Sequence, residues 1–214
     1  MNREPVILTN YLRKWTNGIV TPIGTALKNL GVSPDAITVL GLMVVAVGAW
    51  RIALGEWTQG AIILILGLPL DTLDGAVARA YGKFRPFGSF LDSTLDRYAD
   101  ALIFGGIALY YADQNRLWLT ALAVVALHGA MTVSYIRAKA ESINVDCKVG
   151  LFTRVERLLT LGIAWLVSLF IGQDAIDAGV IILAVGAQFT SLQRMVYVRR
   201  VLAEREREAQ SEGV

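Results

Sequence analysis

The chain has 214 residues, of which 55% are apolar and 18% charged, with a net charge of +2. That apolar share exceeds what a soluble domain of this size can bury, so the bilayer is the expected solvent and nucleic acid is not an expected partner. Cys147 is the only cysteine and His128 the only histidine, which excludes a disulfide framework and a thiolate–imidazole zinc site, so any metal must sit on oxygen ligands.

In chain order, Met1 to Asn10 lacks the charged, apolar and small-residue zones of a cleavable signal peptide, so internal spans are expected to direct insertion. Leu8, Leu12, Trp15, Ile19, Ile23, Leu27 and Leu30 then recur at steps of three or four, with Arg13, Lys14 and Lys28 between them. The pattern predicts a helix lying in the membrane interface, although Gly18, Pro22 and Gly24 interrupt it; a partly ordered tail is the alternative. Six segments approach the roughly 20 apolar residues that a span needs: 36–54, 59–78, 89–112, 116–136, 155–173 and 177–198. The expected fold is an all-α membrane protein of six transmembrane helices preceded by an N-terminal interfacial helix. Residues 1–30 form the juxtamembrane segment, 31–202 the six-span domain, and 203–214 a charged helical tail.

Lysine and arginine gather before the first span (Arg3, Arg13, Lys14, Lys28) and between the second and third (Arg79, Lys83, Arg85). They gather again between the fourth and fifth (Arg137, Lys139, Lys148, Arg154, Arg157) and at the end (Arg194, Arg199, Arg200, Arg205, Arg207). In a six-span layout these regions share one side, while the opposite turns carry Arg51 and Arg116 against Glu56, Asp113, Asp174 and Asp177. Both termini and the loop after the second span are therefore expected on the cytoplasmic side of the cell membrane.

The second and third segments are the least apolar because aspartates sit where they meet, and intramembrane acids mark function. Asp71, Asp74, Gly75, Ala78 and Arg79 are followed by Gly88, Asp92 and Asp96. On helices Asp71 and Asp74 share a face, as do Asp92 and Asp96. Four carboxylates brought together need a compensating cation, and Mg²⁺ or Mn²⁺ suits all-oxygen ligands. Gly75, Ala78 and Gly88 leave room for a nucleotide or a close helix, and Arg79 supplies a donor to a phosphate or base edge. The competing readings are that the aspartates cap helices or pair with Arg79, Arg85 and Arg97, or bind a permeating cation in a small transporter or channel.

Residues 71–96 read D-x2-D-G-x2-A-R-x8-G-x3-D-x3-D, which resembles the signature of the CDP-alcohol phosphotransferase family without a departure. The resemblance implies that Asp71, Asp74 and Asp92 are metal ligands and that Asp96, also near the metals, is the general base. It implies that Gly75, Ala78 and Arg79 line the cytidine pocket and that the enzyme is a homodimer. The stretch Ser33-Pro34-Asp35-Ala36-Ile37-Thr38 resembles the family's CDP-diacylglycerol contact, with Ser33, Pro34, Asp35, Ala36 and Thr38 as its candidates. Ser33 or Asp35 is equally an ordinary N-cap. Asp100, one turn beyond Asp96 and outside the signature, reads as helix packing or support.

For the acceptor, residues 90–97, 134–141 and 153–158 resemble the branch of the family that uses inositol phosphate. Ser93 and Arg97 stand where the glycerol-phosphate branch usually carries proline and lysine. By this resemblance Arg137, Arg157 and Arg194, with Lys139 and Arg154, bind the acceptor phosphate. Arg137 replaces a more usual lysine but keeps a phosphate donor. The alternative for each is a basic residue that snorkels to lipid headgroups, which is the favoured reading for Lys148, Arg199 and Arg200. Another acceptor, glycerol phosphate above all, is the second functional reading. His128 is expected to be packed or hydrogen-bonded rather than a ligand, and several of Trp15, Trp50, Trp57, Trp118 and Trp165 suit interface anchors.

Overall fold

The computed structural model describes residues 22–23, 25–81 and 86–212; the side chains of 68–76, 79, 80 and 212 are outside the description. From Pro34 onward, six helices follow one another among the described residues: α1 (Pro34–Ala53), α2 (Trp57–Tyr81), α3 (Pro86–Asp113), α4 (Leu117–Ser142), α5 (Arg154–Ile171) and α6 (Gln173–Glu212). Each coincides with one predicted segment, and α6 continues without a break through the charged tail. Among the described residues there is no strand. Most of the predicted interfacial helix, Trp15 included, lies outside the described residues; of it, 22–23 and 25–29 are helical.

The helices stop and start where local chemistry dictates. Gly31 and Gly55 adopt positive φ (77° and 81°), and in each case the next residue's N–H returns to the carbonyl five positions back, Val32 to Leu27 and Glu56 to Arg51. These are Schellman closures, in which a left-handed residue lets the chain satisfy the orphan carbonyls of a helix end. Asn115 (φ 54°) and Asn144 (φ 58°) do the same after α3 and α4, through Arg116 N to Tyr111 O and Val145 N to Ala140 O. Asparagine substitutes for glycine there because it tolerates the left-handed region better than other side chains. At the other end, Ser33 Oγ accepts the Ala36 N–H at 3.2 Å and Pro34 occupies the first turn of α1, so Ser33 is an N-cap.

Two compact units make up the chain: residues 1–48 with 62–99, and residues 49–61 with 100–214. In the first, α1 meets α2 where a Cβ on Gly67 would stand 3.0 Å from Val44 Cγ1. The Tyr81 hydroxyl donates to the Val32 carbonyl at 3.3 Å. In the second unit, α6 packs against α4 and α5. Small residues set both crossings: a Cβ on Gly129 would come within 2.6 Å of Ala187 Cβ, and one on Gly179 within 2.6 Å of Ala164 Cβ. Close backbone approach through small residues holds helices together where lipid offers no hydrophobic drive. Gly129→Val would force α4 from α6 at a cost of about 1–3 kcal/mol. The core is accordingly rich in alanine and valine (Ala123, Ala126, Ala130, Val133, Val180, Ala184, Ala187), while large apolar side chains face outward, Phe170 being 87% exposed.

That inverted surface belongs to a protein whose solvent is hydrocarbon. Among the described residues, α1, α4 and Gln173–Ser211 of α6 are long and apolar enough to cross a membrane.

Candidate active site

The aspartate motif is divided between two consecutive helices of one unit. Asp71, Asp74, Gly75, Ala78 and Arg79 lie on the helical backbone of α2, and Gly88, Asp92 and Asp96 on the first turns of α3. The side chains of Asp71, Asp74 and Arg79 lie outside the described residues, as does the 82–85 connection with Lys83 and Arg85. Asp92 and Asp96 are half-buried and one turn apart. The guanidinium of Arg97 approaches Asp96 Oδ2 at 3.5 Å, a loose contact. The hydroxyl of Thr94 donates back to the Phe90 carbonyl at 2.8 Å, and that of Ser93 to Ser89, so neither competes with the aspartates.

The four aspartates of the motif offer carboxylate oxygens and no thiolate or imidazole, a chemistry that would fit a hard divalent cation such as Mg²⁺ or Mn²⁺. Among the described residues no group of three or more histidine, cysteine, aspartate or glutamate side chains could hold a metal ion; the side chains of Asp71 and Asp74 are not among them.

The basic residues lie in the other unit, in different surroundings. Arg157 is 2% exposed; its Nη2 donates to Asp100 Oδ2 at 2.8 Å and its Nη1 to the Phe152 carbonyl at 3.3 Å. Arg194 is equally buried and donates through Nε to the Val149 carbonyl (2.8 Å) and through Nη1 to the Val133 carbonyl (2.6 Å). No carboxylate pairs with it among the described residues. Arg137 is exposed and pairs with Glu141 at 2.9 Å, Arg154 is half-buried at the first turn of α5, and Lys139 is exposed on α4.

The segment between α4 and α5 is pinned to α6, which is why Arg194 finds a carbonyl there. Phe152 N–H donates to Thr190 Oγ1 at 2.9 Å, and Gly150 (φ 135°) sits so close to Thr190 that a Cβ would lie 2.5 Å from its methyl group. Cys147 is buried in this segment, and burial pushes its thiol pKa up.

Sequence reasoning missed the buried Asp100–Arg157 pair. The available signal was the position of Asp100 one turn past Asp96, but nothing local names a partner 57 residues away. It also missed a knot joining the end of α3 to the starts of α4 and α6. There Asp177 accepts from the Tyr111 hydroxyl at 2.7 Å and from Arg116 at 2.5 Å. His128 is hydrogen-bonded as expected, with Gln188 Nε2 3.0 Å from its Nδ1.

The sequence model of a family described as CDP-alcohol phosphatidyltransferase matches residues 31–192. Phosphatidylinositol phosphate synthase of Cutibacterium acnes is 38% identical over 91% of this chain and 98% of its own length. That of Streptomyces avermitilis is 40% identical over 92% and 85%. Archaetidylinositol phosphate synthase of Methanothermobacter thermautotrophicus is 38% identical over 89% and 94%. Among solved structures, Mycobacterium tuberculosis phosphatidylinositol phosphate synthase with CDP-DAG bound superposes with a TM-score of 0.79 at 33% identity, covering 84% of this chain and 93% of that one. The same enzyme in complex with manganese and citrate gives 0.77 at 32% identity, covering 84% and 88%. With the complete signature on α2 and α3, an all-helical membrane fold and relatives alike over nearly their whole lengths, this chain is an enzyme of the CDP-alcohol phosphatidyltransferase family.

Proposed function

We propose that the chain transfers a phosphatidyl group from CDP-diacylglycerol to inositol phosphate, releasing CMP and forming phosphatidylinositol phosphate. The observation that carries the reaction class is the complete four-aspartate signature placed on two consecutive helices of one unit. The acceptor rests on the relatives: bacterial and archaeal enzymes whose names differ in the lipid part share the inositol phosphate part. The buried Arg194 supports it too, since a cation taken from water without a carboxylate partner favours an anionic ligand.

Asp71, Asp74, Asp92 and Asp96 would hold Mg²⁺ or Mn²⁺. When bound, such an ion supplies positive charge that offsets the charge developing on the donor's pyrophosphate. Gly75, Ala78 and Arg79 of α2 form the cytidine side of the donor pocket, with Ser33, Pro34, Asp35, Ala36 and Thr38 at the start of α1. Asp96 takes the proton from the acceptor hydroxyl, whose oxygen forms a bond to the β-phosphorus as the bond to CMP breaks. Arg137, Arg157 and Arg194, with Arg154 and Lys139, hold the acceptor phosphate. All six helices span the cell membrane, the termini and the site face the cytoplasm, and the enzyme works as a homodimer; the distribution of lysine and arginine supports the orientation.

The test is CMP release by the purified protein from CDP-diacylglycerol with inositol phosphate, glycerol phosphate or free inositol as acceptor. Inositol phosphate is expected to be used best. Ready use of glycerol phosphate and not of inositol phosphate would overturn the acceptor while leaving the reaction class in place.

A further inference from the structure

Between the last turns of α4 and the matching stretch of α6 lies an open groove of about 640 Å³. Both helices are among those long enough to cross a membrane, and both walls belong to one compact unit. Along one end the lining is apolar, with Tyr135 67% exposed on α4 and Met195 48% exposed on α6. Just beyond, where the apolar stretches of the two helices give out, Lys139 and Arg199 face the groove from opposite walls. Both are exposed, and neither has a carboxylate partner among the described residues. Arg137 and Lys148 nearby are each paired, with Glu141 and Asp146. Glu206 closes the far end, about 10 Å further along α6 than Arg199.

We infer that this groove binds an anionic phospholipid. The apolar end takes the first part of the acyl chains and the two cations take the headgroup phosphate, as basic pockets between membrane helices do. Glu206 repels an anion that slides further out and so holds the phosphate at the level of Lys139 and Arg199. Charge decides the occupant: a neutral lipid would leave two unpaired cations against its headgroup. The inference rests on α4 and α6 being membrane helices, and it gives Lys139 to the lipid headgroup in place of the acceptor phosphate, leaving Arg137, Arg154, Arg157 and Arg194 to the acceptor.

Native mass spectrometry of the full-length protein in detergent, with phosphatidylglycerol or phosphatidylcholine of matched chains added, tests it. Phosphatidylglycerol should be retained in preference. Arg199→Gln should weaken that retention roughly fivefold and K139Q/R199Q roughly thirtyfold, whereas Arg199→Lys and the off-groove Arg200→Gln should keep it. The acceptor KM of the Arg199→Gln variant should stay at the wild-type value, which separates this groove from the acceptor pocket. Equal retention of the two lipids, or of phosphatidylglycerol by wild type and double variant, overturns the inference. So does displacement of the lipid by the same concentration of inorganic phosphate. A double variant that loses its partner copy while keeping its lipid would instead give the groove to a second copy of the chain.

Discussion

Asp92 and Asp96 illustrate how far a single residue type at a given spacing can be read. Their places on one face of a helix follow from 3.6 residues per turn, and the structure puts both on α3, half-buried. Asp71→Asn or Asp92→Asn should abolish CMP release, because each removes a charged oxygen from a site with few others; calorimetric titration with Mn²⁺ should show the accompanying loss of metal binding. Wild-type turnover in either variant would remove the metal assignment. For the acceptor, Arg137→Ala should raise the KM for inositol phosphate on the order of tenfold or more while leaving the KM for CDP-diacylglycerol nearly unchanged. Free inositol has no phosphate to contact, so it should lose little further in the variant. A matched loss with both acceptors would give Arg137 a folding role through its pair with Glu141.

At the scale of the elements, the Asp100–Arg157 pair ties α3 to α5, and its two side chains are 5% and 2% exposed. Such a pair is weak evidence for stability but costly to break from one side, since the remaining charge is left buried. Asp100→Asn should therefore destabilise by about 3–5 kcal/mol, whereas Asp100→Leu with Arg157→Met should recover most of that loss. Thermal unfolding in detergent with intrinsic fluorescence would read the difference. A double variant no more stable than Asp100→Asn would mean that the pair does more than neutralise itself. The recovered stability should come without recovered acceptor binding if Arg157 also contacts the phosphate, so KM and melting temperature should part company in that variant.

At the scale of the whole molecule, Cys147 is a built-in reporter because it is the chain's single thiol. Burial favours the neutral thiol and raises its pKa, so at a given alkaline pH Cys147 is ionised to a smaller extent than an exposed thiol. Iodoacetamide should modify it far more slowly in the folded protein than after unfolding; equal rates would contradict its burial. A raised folded-state pKa contributes stability that is full below the unfolded thiol's pKa and lost as pH rises toward the folded one. Mild alkali should therefore lower the melting temperature, and Cys147→Ala should remove the part due to the thiol. The six helices, their approximate limits and the split of the aspartate motif across two of them were legible in the sequence, because apolar runs, turn residues and carboxylate spacing are local properties. The capping role of Ser33 was one of two readings, and the Ala36–Ser33 hydrogen bond shows it without testing the donor-binding role. What only the tertiary structure decided were partnerships between residues far apart: Asp100 with Arg157, Asp177 with Tyr111 and Arg116, and Arg194 with the carbonyls of Val133 and Val149. Arginine carries the same charge at a lipid headgroup, in a buried pair or against backbone carbonyls. Which of these it finds depends on helix crossings set by Gly129 with Ala187 and Gly179 with Ala164, and no pattern along the chain encodes which glycine meets which alanine.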